Sequence, residues 1–145
     1  MRFEGSTEFL AGRSEIWSLL VDPSQVGPCS PIPVQRVDDT HFKAEAKVGG
    51  GFFSTKVTLE LELTEAIPNE RATLTARGRG SGTSLTGTTS FELRDGSMNG
   101  MTTVDWVAEF ELQGMLASAA SRVVADQGEK AIANLLDCLR RRIDG

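Results

Sequence analysis

The segment Lys56-Val57-Thr58-Leu59-Glu60-Leu61-Glu62-Leu63 alternates strictly between polar and apolar side chains. Successive side chains of a β-strand point to opposite faces of a sheet, so this period of two predicts a strand with one buried face. The valine and the leucines are expected to face the core, whereas the lysine, the threonine and the glutamates are expected to face solvent. The segment therefore indicates which side chains of the neighbouring strands point inward.

The same period of two extends over residues 34–112 and predicts consecutive strands near residues 34–38, 41–48, 52–65, 71–80, 84–94 and 101–112. Short segments rich in Gly, Pro, Asn and Asp separate these strands, which is typical of antiparallel hairpins. Before them, residues 1–10 form a further β-like segment, and Ser14 is a suitable N-cap for a short helix that ends at Asp22-Pro23. A second short helical turn and a proline-rich loop are expected to follow.

The pattern becomes helical after Gly114, where apolar residues recur at steps of three and four. They predict one long amphipathic helix that ends near Ile143. With 145 residues, the chain has room for one domain, which we expect to span residues 1–145. The predicted fold is α+β: a curved seven-stranded antiparallel sheet wrapped around a long C-terminal helix, with two short helices after the first strand.

Composition and charge exclude several classes of protein. The chain has 15 basic and 20 acidic residues and a net charge of −5, so it lacks the broad basic surface that nucleic-acid binding requires. Its longest apolar run, within residues 16–21, is far shorter than a membrane span, and its N-terminus has charges where a secretory signal needs an apolar stretch. We therefore expect a cytoplasmic protein. Cys29 and Cys138 could in principle pair, but we expect ordinary thiols in that location.

Many inward-facing positions of the predicted sheet carry small residues. Because protein interiors avoid voids, a curved sheet lined with Gly, Ala and Thr predicts a hollow beneath the C-terminal helix that would hold an apolar ligand. The alternative is that the tryptophans, phenylalanines and the long helix fill this space. The residues predicted to line the hollow are Trp17, Phe42, Ala44, Leu61, Ala76, Gly87, Phe91, Trp106, Ala108, Phe110, Leu116, Ala120, Val123 and Val124.

No residues predict a catalytic or metal site. The single histidine, His41, follows Asp38 and Asp39 in a polar turn, where aspartates are favoured for their own backbone hydrogen bonds. A nucleophilic mechanism or a metal site would have to use this one histidine. The Gly78-x-Gly80-x-Gly82 motif precedes a strand rather than a helix, so it indicates a hairpin and not a dinucleotide-binding loop. We therefore expect a protein that is not an enzyme.

Several short motifs resemble the G-subunit family of carbon monoxide dehydrogenase. They are the opening strand Phe3-Glu4-Gly5, the helix Glu15-Ile16-Trp17-Ser18-Leu19-Leu20-Val21 with its stop at Asp22-Pro23, the loop Cys29-Ser30-Pro31, and the turn Gly78-Arg79-Gly80-Ser81-Gly82 with the strand Thr86-Gly87-Thr88-Thr89-Ser90-Phe91-Glu92-Leu93. The order of elements is similar as well. The resemblance implies the helix-grip fold shared with START domains, plant pathogenesis-related allergens and aromatic cyclases, a superfamily also known as SRPBCC.

The resemblance further implies a non-catalytic accessory protein that helps a molybdenum hydroxylase of the carbon monoxide dehydrogenase type associate with the membrane and the respiratory chain. Our hypothesis goes further: the hollow holds an isoprenoid quinone, menaquinone or ubiquinone, and the protein has no covalent cofactor. The competing functions are an aromatic cyclase or lipid-transfer protein of the same fold, and a pure adaptor with a filled core.

Three consecutive arginines, Arg140, Arg141 and Arg142, end the predicted helix. Cations at this position complement the negative end of the helix dipole. They would also attract an anionic lipid surface. We therefore predict that they contact a membrane or the partner enzyme, which would place the protein peripherally on the cytoplasmic face of the cell membrane.

Overall fold

The computed structural model describes residues 1–30, 32–48, 55–80, 82–114 and 121–144. Its elements follow one another in the order expected for an α+β fold. They are β1 (Arg2–Phe9), α1 (Arg13–Val21), α2 (Pro23–Val26), a 3-10 helix (Gly27–Cys29), β2 (Val34–Arg36), β3 (His41–Val48), β4 (Thr55–Ile67), β5 (Arg71–Gly80), β6 (Thr83–Asp95), β7 (Thr102–Gly114) and α3 (Ser121–Asp144).

The strands form one antiparallel sheet in the order β1-β7-β6-β5-β4-β3-β2. The predicted fold class is confirmed, including the long C-terminal helix and the short helices after the first strand. The alternation in β4 is confirmed too, because Leu61 pairs with Phe42 on one side and with Ala76 on the other. The inner face of the central strands is therefore the apolar one.

A β-bulge bends β4 near its end. The register between β4 and β5 shifts between Leu63 and Glu65, which leaves Thr64 as the extra residue. The Thr64 hydroxyl lies 3.2 Å from the Thr75 hydroxyl on the neighbouring strand, within hydrogen-bonding distance. A bulge of this kind bends its strand and increases the local twist, so it contributes to the curvature of the sheet.

The main core lies where α1 and the C-terminal half of α3 cover β1, β6 and β7. Phe9, Ile16 and Leu139 are fully buried there, and Val104 of β7 is 1% exposed. Each comes from a different element, so this cluster joins the sheet to both helices. Burying side chains of this size contributes about 1.5–3 kcal/mol each, which makes the cluster the main attachment of the helices.

Aromatic rings occupy the space left by two of the small inward-facing residues. Gly5 pairs with Trp106, and a Cβ atom at Gly5 would lie 2.8 Å from Cζ2 of that ring. Gly87 pairs with Phe110, and a Cβ atom there would lie 2.6 Å from the Glu109 carbonyl oxygen and overlap the phenylalanine ring. Here the expectation that small residues leave a hollow is wrong, because the paired residue of β7 fills the space.

The expectation that the cysteines are ordinary thiols is also wrong. Cys29 of the 3-10 helix and Cys138 of α3 form a disulfide, with their Cα atoms 5.7 Å apart. The two residues are separated by 109 positions in the sequence. Only the packing of α3 beside the 3-10 helix brings them together, and the sequence pattern does not show that packing.

Substituting Gly87 tests the aromatic filling of the sheet. We expect Gly87→Ala to lower the free energy of unfolding by about 1–3 kcal/mol, because the added methyl group overlaps the Phe110 ring and the backbone of β7. The control is Gly12→Ser. Gly12, and not Ser14 as expected from the sequence, is the N-cap of α1. A Cβ atom at Gly12 meets nothing within 4 Å, and serine is favoured at an N-cap. Urea unfolding measures both variants. A Gly87→Ala protein as stable as the wild type would contradict the packing described here.

Candidate apolar binding site

An apolar pocket of about 160 Å³ lies between the short helices and the inner face of the sheet. Its walls come from α1, α2, the 3-10 helix and strands β2 to β6. Within the described part of the chain, one lining residue is a glycine and every other one has an apolar side chain. The lining residues are Leu20, Val21, Val26, Gly27, Val34, Phe42, Leu61, Leu63, Leu74 and Phe91.

Strand register positions the floor of the pocket. Phe42 pairs with Leu61 across β3 and β4, and Leu63 pairs with Leu74 across β4 and β5. These residues share the inner face because each strand alternates with a period of two. Phe42 is 9% exposed, whereas the three leucines are partly exposed to the pocket and to solvent. The floor is therefore a continuous apolar surface that the helices only partly cover.

The roof is the segment from the end of α1 to the 3-10 helix, which contributes Leu20, Val21, Val26 and Gly27. A tight turn positions it: the Asp22 carboxylate accepts hydrogen bonds from the Ser24 backbone N–H at 2.9 Å and from its hydroxyl at 2.8 Å. These two bonds lower the pKa of Asp22, so the carboxylate is ionised at neutral pH and can accept both of them. The turn directs α2 back over the sheet.

Trp17 lies behind one wall of the pocket. Its ring centroid is 6.1 Å from that of Phe91, with an angle of 55° between the two planes. Phe91 lines the pocket, whereas Trp17 lies outside its lining. The Phe91 ring thus lies next to both Trp17 and the pocket, so the fluorescence of Trp17 can be used to detect a molecule that binds in the pocket.

The structure brings three of the predicted residues, Phe42, Leu61 and Phe91, into the lining of this pocket. Sequence reasoning placed the hollow beneath α3, whereas no described lining residue comes from that helix. It therefore missed the roof residues and Val34. Leu63 and Leu74 could have been found from the sequence, because both fall on the inner face that the alternation of β4 defines.

The other predicted residues lie elsewhere. Trp106 packs on Gly5 in a shallow depression shared with Leu136 of α3, and Ala108 is completely buried in β7. Val124 is buried, but Val123 is 47% exposed because the next residue of a helix points about 100° away around its axis. Two more positions, Leu116 and Ala120, lie outside the described residues. Ala76, Gly87 and Phe110 line a groove with Thr75 and Glu109, and Ala44 lines a depression with Lys43 and Glu45.

The three arginines near the end of α3 are exposed and have partners within the chain. Arg140 and Arg141 both bind the Asp137 carboxylate, at 2.7 and 3.1 Å. Hydrogen bonding to Asp137 raises the pKa of Arg140 and lowers that of the carboxyl group. Arg142 donates a 3.4 Å hydrogen bond to the Gln25 carbonyl oxygen in the roof. Their contact with a membrane or partner enzyme stays a prediction.

His41 lies in an exposed polar cluster at the start of β3. Its Nδ1 is 2.8 Å from an Asp38 carboxylate oxygen, and its Nε2 is 3.5 Å from Glu62. Asp38 also accepts backbone hydrogen bonds from Thr40 and His41, and these contacts lower the pKa of Asp38 to about 2. The hydrogen bond with Asp38 raises the pKa of His41. The cluster stabilises a turn, as the sequence predicts.

Within the described part of the chain, no group of three or more His, Cys, Asp or Glu side chains is arranged to hold a metal ion. None of the helices in that part is both long enough and apolar enough to cross a membrane. The pocket between the short helices and the sheet combines a concave shape with an apolar lining, so it is our candidate ligand site.

A family model described as the G subunit of carbon monoxide dehydrogenase (CoxG) matches residues 5–144. The chain belongs to the CoxG family. The resemblance seen in the short motifs is confirmed, and it extends over nearly the whole sequence. No curated protein sequence matches the chain.

Solved structures share this fold at low sequence identity. A conserved protein from Geobacillus kaustophilus matches with a TM-score of 0.84 and 20% identity, covering 99% of this chain and 95% of that one. The protein XoxI from Bacillus cereus matches with a TM-score of 0.70 and 12% identity, covering 98% and 94%. Ms6760 from Mycobacterium smegmatis matches with a TM-score of 0.67 and 15% identity, covering 99% and 90%. These similarities show only that the chain shares the fold of these proteins.

The polar cluster around His41 gives a pH-dependent prediction. Because Asp38 stabilises the protonated imidazole, Asp38→Asn should lower the pKa of His41. The interaction contributes stability below the pKa of an unfolded histidine, and that contribution is lost as the pH rises through the folded pKa. NMR titration of the imidazole measures the shift. The control is Asp39→Asn, because the Asp39 carboxylate pairs with Arg36, and this variant should leave the pKa of His41 unchanged. An unchanged pKa of His41 in Asp38→Asn would refute the contribution of Asp38.

Proposed function

We propose that this CoxG-family protein is a non-catalytic, cytoplasmic accessory protein that binds an apolar molecule and serves a carbon monoxide dehydrogenase-type molybdenum hydroxylase at the membrane. The observation that carries the proposal is the pocket between the roof and the floor of the sheet, with its apolar lining. The family description supports the accessory role, since it names a subunit of that enzyme.

The size of the pocket favours one ring of a larger apolar ligand. A cavity of about 150 Å³ lined by Leu, Ile and Phe stays dry and accommodates a benzene ring, and this pocket measures about 160 Å³. The pocket is open to solvent rather than enclosed, so a tail attached to the ring has a way out. An isoprenoid quinone such as menaquinone or ubiquinone combines these two features.

A quinone also suits the chemistry of the proposed partner. An enzyme that oxidises its substrate must pass on electrons, and a quinone takes up two electrons and two protons to become a quinol. The accessory protein would hold the quinone by burial alone, at about 25 cal/mol for each Å² of apolar surface removed from water. Such binding needs no covalent attachment, and it leaves the redox chemistry to the enzyme.

The apolar lining favours a carrier over an aromatic cyclase. A cyclase of this fold would need polar groups that converge on its substrate, and the described lining of the pocket contains only apolar side chains and Gly27. A lipid-transfer protein would use the same kind of pocket and differ only in its ligand. Identifying the molecule that the purified protein retains therefore decides between these two functions.

The arginine cluster at the end of α3 is our proposed contact with the membrane or the partner enzyme. Each basic residue near an anionic leaflet contributes about 1 kcal/mol, but Arg140 and Arg141 share the Asp137 carboxylate. The net attraction is therefore modest. We propose that the cluster adds to a second attachment, such as contact with the enzyme, rather than anchoring the protein alone.

Tryptophan fluorescence tests where the ligand binds. In Trp106→Phe, which keeps Trp17, a ubiquinone analogue should quench the emission in a saturable titration, because only the Phe91 ring separates the indole from the pocket. In Trp17→Phe, which keeps Trp106, quenching should be weaker, because that ring packs on Gly5 outside the pocket. Equal quenching of both variants, or none of either, would contradict binding in this pocket.

Filling the floor of the pocket tests what is bound. Protein purified from a host that makes isoprenoid quinones should retain quinone, detected by organic extraction and mass spectrometry. Leu74→Phe should reduce the retained amount several-fold, because the larger ring occupies the space of the ligand. The control Leu85→Phe enlarges a leucine of β6 that does not line the pocket. Phospholipid in place of quinone would favour lipid transfer, and equal retention by both variants would exclude this pocket.

A further inference from the structure

The disulfide joins the roof of the apolar pocket to the C-terminal helix. Cys29 lies two residues after Gly27, which lines the pocket, and its partner Cys138 belongs to α3. The neighbour of Cys138 in the sequence, Leu139, is completely buried in the main core. One end of the disulfide is thus fixed to the core, and the other end is attached to the roof.

The roof contains little regular structure, although Leu20 and Cys29 pack against the main core. It consists of a four-residue helix, α2, followed by the three-residue 3-10 helix, and helices this short are not stable on their own. Among the described hydrogen bonds, its link to α3 is the long contact from Arg142 to the Gln25 carbonyl oxygen. The disulfide is therefore the strongest fastening between these two elements.

We propose that this disulfide is a redox-controlled latch on the pocket, a role that depends on the ligand-binding function proposed above. In the oxidised state the roof stays closed over the floor and retains the ligand. When the disulfide is reduced, the roof separates from α3 and the ligand exchanges. The latch would couple ligand release to the supply of reductant.

The reaction that opens the latch is thiol–disulfide exchange with a dithiol of the thioredoxin class. One thiolate of the reductant attacks a sulfur of the disulfide, and the bond between Cys29 and Cys138 breaks to give a mixed disulfide. The second thiol of the reductant then resolves it. The chain gains two electrons and two protons as two thiols, and the reductant becomes a disulfide.

The exposure of the cysteines and the redox chemistry of the cytoplasm support this use of the bond. Both cysteines are partly exposed, so the disulfide lies near the protein surface, where reductants act. Disulfides in the cytoplasm are typically transient or redox-sensing, because reducing systems keep thiols reduced there. In the location that we propose, a bond between the roof and α3 would open and close rather than serve as a permanent cross-link.

The direct test is the dissociation rate of a decyl ubiquinone analogue, followed by stopped-flow fluorescence of Trp17. Its ring is fully substituted, so it does not add to thiols. Reduced protein, freed of reductant under anaerobic conditions, should release the analogue about tenfold faster than oxidised protein. The double variant Cys29→Ser/Cys138→Ser should release it as fast as reduced wild type whether or not it has been treated with reductant. Equal rates for oxidised and reduced wild type would overturn the latch.

A measurement without ligand separates the latch from the binding function. Hydrogen exchange of backbone amides in residues 23–30 should accelerate on reduction, while that of amides in β6 and β7 should not change. If the analogue binds neither form, the ligand-binding proposal fails, and amide exchange still decides the behaviour of the roof. Unchanged exchange in the roof would overturn the latch, because the disulfide would then not hold the roof in place. Equal acceleration throughout the sheet would also overturn it, because the disulfide would then stabilise the whole fold.

Discussion

The apolar inner face of the curved sheet must be covered, and the rest of the structure follows from how the helices do this. At one side, Ile16 of α1 and Leu139 of α3 are fully buried against β6 and β7. At the other side, the inner leucines of β4 and β5 are covered only by the short helices of the roof. The pocket is the part of the apolar face that the helices leave incompletely filled. The pocket lies beneath the roof because this short segment does not cover the inner leucines completely.

Sequence patterns predict the parts of this arrangement that depend on local periodicity. The alternation in β4 identifies Leu61 and Leu63 as inward-facing, and the register of the sheet bears this out. Patterns fail where a feature depends on contacts between distant residues. At Gly87 the sequence predicts empty space, but the Phe110 ring on the neighbouring strand fills it. Nothing in the sequence pattern indicates that Cys29 pairs with Cys138, which lies 109 residues away. The location of the pocket beneath the roof rather than beneath α3 is another outcome of tertiary packing.

The chemistry of the molecule is divided between its inside and its outside. Charged groups lie on the surface, where they pair with one another, as in the cluster of His41, Asp38 and Glu62. The pocket has an apolar lining and offers burial as its means of binding. The described lining residues can hold an apolar molecule by burial, and none of them is an acid, a base or a nucleophile. This division fits the accessory role that we propose for this member of the CoxG family.

We propose that the apolar pocket, and not another surface, receives a quinone-like molecule. Methyl NMR of leucine-labelled protein can locate the bound molecule during titration with a decyl ubiquinone analogue. We expect saturable shifts and intermolecular contacts at the methyl groups of Leu20, Leu61 and Leu74, while those of Leu112 and Leu139 stay unchanged, because neither lines the pocket. Shifts centred on α3 or the outer face of the sheet, or no saturable shifts at all, would contradict it.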